Sequence, residues 1–296
     1  MLTDFLFLDE IAERIQKQKI PRLLYQKGIC LEGEFQPYMN LGEYTSANFL
    51  TDIERETPVT VRVSKVFSPP GSGDTTRDAV GFFVRFFTEE GHFDLLTHTL
   101  SIPKEIRTPE HMIRLIDTFR NNAGSREREE NALFTLAAER PEFLSFLIHY
   151  FSDDATVKSY RFIEGIPLND HLLRAPDGTE REASFFLRPP DGKKSITRQE
   201  AEFFAGYDPD TAARDMADAL LAGKFPVYDL EVRFRNGESL IAGRVTIREF
   251  AERCTSEQIG YTPQNLVPGI ELFPNEWNRF TAFAFNESVR IRGGSR

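Results

Sequence analysis

Residues 58–66, Pro58-Val59-Thr60-Val61-Arg62-Val63-Ser64-Lys65-Val66, and residues 81–96, Gly81-Phe82-Phe83-Val84-Arg85-Phe86-Phe87-Thr88-Glu89-Glu90-Gly91-His92-Phe93-Asp94-Leu95-Leu96, decide the fold class. In the first stretch three valines, Val59, Val61 and Val63, alternate with Thr60, Arg62 and Ser64. A strand therefore puts the valines on one face and the polar set on the other. The second stretch is apolar apart from Arg85 until Glu89-Glu90-Gly91, which reads as a buried strand, a hairpin turn and a return strand through Phe93–Leu96. A β-meander is the expectation.

Helical periodicity flanks this region on both sides. Phe5, Leu8, Ile11, Ala12 and Ile15 recur on one face behind Asp4, a suitable cap, so residues 5–19 read as an amphipathic helix that docks on the main body or on a partner subunit. Residues 108–150 are helical: Thr108-Pro109-Glu110 gives a cap, a first-turn proline and an acidic first turn, and Pro141 opens a further helix through His149. The charged run Arg126–Glu130 reads as a solvated helix start. Strands resume near Tyr160 and at 184–188, with Pro176-Asp177-Gly178 as a turn. Thr197-Arg198-Gln199-Glu200 fits a capping box, and Asp208-Pro209-Asp210 starts a helix that ends near Gly223. Asn236-Gly237 marks a hairpin after Val227–Phe234. The expectation is an α+β protein, with a helical extension over 1–20 and one core domain over 21–296.

Composition narrows the function. With 296 residues, 40% of them hydrophobic and 12% aromatic, the chain can bury a large core. Its 46 acidic against 36 basic side chains give a net charge of −10, which repels phosphate backbones and anionic membrane surfaces. Nucleic acid and membrane are therefore not expected partners. No apolar run reaches the roughly 18 residues of a membrane span, and the opening residues lack the basic leader of a signal sequence. Cys30 and Cys254 lie far apart and outside metal-type spacing, so neither a disulfide framework nor a zinc site is indicated. That composition suits a reducing cytoplasm.

Three segments then carry a resemblance: Val61–Ser64, Gly73-Asp74-Thr75-Thr76-Arg77-Asp78-Ala79-Val80-Gly81-Phe82, and Phe86–Leu95. In order and spacing they resemble the signature region of the catalase family. The likeness extends to Arg22–Gly28, Asp208–Asp210, Arg214-Asp215, Gly223–Pro226, Gln258-Ile259 and Pro268–Glu271, and more weakly to Arg279–Arg290. It implies an antiparallel β-barrel with helices packed around it and haem b between them. The long wrapping segment and C-terminal helices of full-length catalases have no counterpart, so the chain is similar to the family's small members. A homo-oligomer, dimer or tetramer, is implied.

By the same resemblance, Arg22, Arg62 and Arg290 match the arginines that bind haem propionates, where desolvated carboxylates need charge-assisted hydrogen bonds. The catalytic positions depart from the family. Tyr25 stands where the distal histidine belongs and His98 where an asparagine belongs, while Ser64 matches the serine that orients the histidine. On the proximal side Phe283 occupies the place of the iron-ligating tyrosine, and Arg279 keeps the flanking arginine. Phenylalanine has no donor atom.

Three readings follow. The pocket holds haem with altered ligation, through Tyr25 or His98, and acts on an organic, hydroperoxide-like substrate rather than as a catalase. Or it is a haem-free pseudo-catalase whose cavity binds another small molecule or serves as a scaffold. Or Tyr25, His98 and Ser64 act as acid, base or hydrogen-bond donors on an organic substrate, peroxidase-like or otherwise. His92, Asp94 and His98 share a strand face but lack a fourth ligand, so no metal site is read there. His111, His149 and His171 fall on expected helices or loops and are taken as incidental.

Overall fold

The structure is a computed structural model that describes residues 22–121, 126–251 and 259–291, together with Asp9 and Glu13. Apart from Asp9 and Glu13, which are helical, the expected helix over 5–19 lies outside the described residues. Ten strands form one antiparallel sheet in the order β10-β6-β7-β8-β9-β1-β2-β3-β4-β5. They are β1 (Gly28–Pro37), β2 (Thr57–Lys65), β3 (Val80–Thr88), β4 (Gly91–His98), β5 (Ile166–Pro167), β6 (His171–Arg174), β7 (Glu180–Arg188), β8 (Val227–Phe234), β9 (Ser239–Phe250) and β10 (Ile270–Leu272). Helices α1 (Asn48–Thr51), α2 (Pro109–Asn121), α3 (Arg126–Glu139), α4 (Leu144–Phe151), α5 (Arg198–Tyr207), α6 (Thr211–Leu221) and α7 (Glu276–Ile291) complete the α+β arrangement.

The sheet curls until its β5 end meets β7, two strands in from the other end. Gly165, just before β5, exchanges backbone hydrogen bonds of 2.8 and 3.0 Å with Leu187 on β7. A side chain at 165 would collide with Thr97 Oγ1 and Leu187 Cβ, so only glycine lets these strands approach. The expected meander is β1 to β4, with Val61 opposite Val84 and Phe82 opposite Thr97. Asn236-Gly237 forms the β8–β9 turn, with Gly237 at φ 90°. The Thr197/Glu200 capping box closes reciprocally at the start of α5.

Alternation along β2, β3 and β4 sorts the core into two layers. Val59, Val61, Val63, Phe82, Val84, Phe86, Phe93 and Leu95 point into the barrel and join its apolar filling. The opposite face, expected to be polar, is also buried, because α2, α3, α4 and α7 pack over it. On that face lie Arg62, Ser64, Phe83, Arg85, Asp94, Leu96 and His98. Arg85 and Asp94 form a bidentate pair of 2.6 Å bonds, and Asp94 also accepts from the Thr262 amide and Asn265.

The 66–79 loop is pinned from beneath. Asp74 accepts from the Tyr160 hydroxyl at 3.0 Å and from the Ala213 amide at the start of α6 at 3.0 Å, and pairs with Lys27 at 3.1 Å. Lys65, fully buried, donates to the Asp74 and Thr76 carbonyls. The resemblance in this segment is thus carried by residues that anchor a loop.

Three expectations need correcting. Tyr160–Phe162 is a 3-10 turn rather than a strand, because the Ser159 hydroxyl accepts from the Arg161 amide and caps it, and the next strand begins at Ile166. Cys30 is disulfide-bonded, with its partner outside the described residues. Distance along the chain is a poor guide here, because β1 pairs with β9 and the Ala251 amide donates to the Cys30 carbonyl at 3.1 Å. His171 is on strand β6, not a helix or loop, fully buried between the edges of Phe93 and Phe185.

Candidate functional site

Tyr25 is at the centre of the site. Its backbone adopts φ 60°, a left-handed conformation strained for a tyrosine. The strain is held in place by two bonds: its amide donates to the Val66 carbonyl at 3.0 Å, and Arg62 Nη2 donates to its carbonyl at 2.9 Å. So anchored, the ring lies over Gly81, where any Cβ would come within 2.9 Å of it, and edge-on to Phe83 at 4.9 Å.

The Tyr25 hydroxyl then reaches His98 Nε2, 2.8 Å away. Burial, with a smaller push from Arg107, takes the His98 imidazole down to about 4, so the ring is neutral at ordinary pH. Burial, reinforced by Asp78, holds the Tyr25 phenol protonated far above its usual range. Both groups are uncharged. Each is the other's hydrogen-bond partner.

The pair faces a cavity of about 110 Å³ between the sheet and α7. Phe83 and Tyr261 line the sheet side, Ile102, Met112 and Ile116 the α2 side, and Trp277, Phe280, Thr281, Ala284, Phe285 and Ser288 the α7 side. Those six α7 positions recur at helical spacing and form one face of the helix. Trp277 is fixed by its indole N–H to the Leu168 carbonyl at 2.7 Å. Thr281 accepts from Asn169 at 2.7 Å.

The structure brings some of the expected site residues together and separates others. Tyr25, His98 and Arg22 line the cavity. Arg62 is 1% exposed and lies behind Tyr25, its Nη1 3.6 Å from the Cys30 sulfur. Ser64 is fully buried, and its hydroxyl has no partner among the described residues, so it does not orient His98 or Tyr25. Arg279, Phe283 and Arg290 fall on the exposed side of α7, facing away from the cavity. Phe283 is 45% exposed, and Arg290 pairs with Glu287 one turn earlier, 2.8 Å from Nε. The three expected propionate arginines do not share one hollow.

Sequence reasoning missed the inward aromatic face of α7. The signal was there: Trp277, Thr281, Ala284 and Ser288 step by four, three and four residues. Phe283, the residue matching the family's ligand position, lies on the other side of the helix. Among the described residues no three His, Cys, Asp or Glu side chains gather to hold a metal, and no helix is long and apolar enough to cross a membrane.

These residues do not fit the haem that the resemblance implies. Pockets for drug-sized ligands run to about 300–1,000 Å³, whereas this one offers about 110 Å³. Phe285 sits 5.7 Å from the Phe83 ring and 6.0 Å from Tyr25, in the space between sheet and helix. The two ligand-capable side chains, Tyr25 and His98, bond to each other.

The family itself is clear. A catalase family model matches residues 1–250, and the chain belongs to the catalase family. It is similar to Catalase-2 of Caenorhabditis elegans, 27% identical over 99% of this chain and 64% of that protein. It is also similar to a catalase of Alkalihalophilus pseudofirmus, 28% identical over 99% of this chain and 47% of that protein, and to a catalase of Methanosarcina barkeri, 28% identical over 97% and 62%. The chain thus spans about half to two thirds of these relatives' length. A solved structure of a bacterial catalase superposes with a TM-score of 0.84 over 99% of this chain and 62% of that one, at 24% identity, which shows the shared fold.

Proposed function

We propose that this chain is a haem-independent member of the catalase family, a pseudo-catalase whose cavity binds a small molecule. The observation that carries this reading is the seating of the α7 aromatic face: Trp277, Phe280 and Phe285 leave about 110 Å³ where the family resemblance implies a macrocycle. The Tyr25–His98 pair is the cavity's polar element, and its two neutral groups offer hydrogen bonds without charge. Assembly as a homo-oligomer, a dimer or tetramer, belongs to the same proposal.

One observation favours a second reading. Tyr25 and His98, both of residue types that ligate haem iron, line the same cavity. A haem-binding protein with altered ligation, acting on an organic hydroperoxide, would use one of them after α7 moves outward.

Titration of the purified protein with haemin, followed by absorption, separates the two. The expected result is no Soret band that saturates at one haemin per chain, and no oxygen release from hydrogen peroxide above the buffer rate. A saturating one-to-one Soret band, weakened by Tyr25→Phe or His98→Ala, overturns the haem-independent reading in favour of the second.

A further inference from the structure

Resting on the haem-independent reading, we infer that the cavity selects an uncharged, ring-sized organic molecule carrying one hydrogen-bond acceptor, which takes the proton that Tyr25 and His98 leave unused. A neutral phenol and a neutral imidazole carry two hydrogen-bonding protons between them, and the bond joining them uses one. If Tyr25 donates, the proton on His98 Nδ1 remains; if His98 donates, the Tyr25 O–H remains. In either tautomer one donor is left, and among the described residues neither side chain has another hydrogen-bond partner.

An occupant that covers that donor without accepting from it incurs a cost of about 1–3 kcal/mol, so an occupant with an acceptor at that point is favoured over one without. Size is set by the walls. An apolar cavity of about 150 Å³ takes up benzene, and this one, at about 110 Å³, is on the scale of a single ring. Its walls are mainly Phe83, Met112, Trp277, Phe280 and Phe285, which match the apolar body of such a molecule.

Charge decides against the carboxylated ligand that the arginine positions suggest. Arg62 is engaged with the Tyr25 carbonyl and the Cys30 sulfur, and Arg290 is on the far side of α7. His98, held neutral by burial, adds no cation beside the ring. A carboxylate would enter a mainly apolar site in which Arg22 is the one lining cation among the described residues, and desolvating it is costly.

Phenol, benzene and benzoate share the ring and differ at one group, so they are the probes. Calorimetric titration of the full-length protein is expected to give one site per chain, with phenol at least about tenfold tighter than benzene and benzoate weaker than both. Long-range ¹H–¹⁵N spectra should show the His98 ring nitrogens shifting with phenol and not with benzene. The double variant Tyr25→Phe/His98→Leu keeps the apolar body of the site; it should still take up benzene and lose the preference for phenol. Ala284→Phe, which fills the cavity from α7, should abolish both.

Equal affinity for phenol and benzene, tightest binding of benzoate, or uptake that survives Ala284→Phe each overturns the inference. The two proposals fail separately. Haemin uptake sinks the haem-independent reading, while an absent phenol preference in a protein that refuses haemin sinks this one alone.

Discussion

The two faces of β2, β3 and β4 differ in what their sequence reveals. The barrel face is uniformly apolar, from Val59 and Val61 through Phe82 and Phe86 to Phe93 and Leu95, and a change of one aliphatic residue for another there alters little but packing. The cavity face carries Arg62, Ser64, Arg85, Asp94 and His98, each with a specific partner or a specific lack of one. Arg62 props a strained carbonyl, while Arg85 and Asp94 lock two strands to the 260–265 segment. Residues of this kind serve the fold whatever the cavity holds. A motif built from them therefore reports architecture, and the chemistry has to be read from what faces the cavity.

The largest effect should come from the Arg85–Asp94 pair. Arg85→Ala leaves the Asp94 carboxylate buried, and breaking a buried pair costs about 3–5 kcal/mol. Urea unfolding of the variant checks this; a loss no greater than that of a surface pair would mean that the pair does not set the cavity face apart from the barrel face.

Next comes a pH effect from the two buried histidines, one on each face. Burial depresses His171 and His98 to about 4, against about 6.5 unfolded. The unfolded chain therefore binds protons first as the pH falls. Stability from this source is full above about 6.5 and is lost on acidification toward 4, by roughly 3 kcal/mol per histidine. Unfolding midpoints measured from pH 7.5 to 4.5 should fall, and His171→Leu should flatten the slope. An unchanged slope would show that His171 finds a partner in solution.

Gly81→Ala should cost about 1–3 kcal/mol by overpacking, because its Cβ meets the Tyr25 ring. Its circular dichroism in the near ultraviolet should change as Tyr25 shifts. Arg290→Ala is the smallest: the side chain is exposed on α7. No measurable change in stability or in ligand uptake is expected, and a clear loss of either would bring Arg290 back to the site.

Much of the fold was legible in advance. Alternation from Val59 to Val63, the Asn236-Gly237 turn and the Thr197 capping box are local signals, and each formed the expected element. The site was legible only in part. Tyr25, His98 and Arg22, singled out from motif spacing, line one cavity. The rotation of α7 was not legible, because a helix with aromatic residues on two faces can present either one, and tertiary packing decides. The disulfide at Cys30 escaped for a related reason: strand pairing joins segments that sequence distance keeps apart.

The closing contact between Gly165 and Leu187 also limits what the sheet can do to its neighbours. With the β5 end curled onto β7, the outermost strands, β5 and β10, are only two and three residues long, and Pro167 in β5 has no amide hydrogen to donate. Such stubs make poor templates for a second chain. A protein this rich in phenylalanine therefore offers little exposed ladder on which fibrils could grow, so its aggregation should require prior opening of that seam.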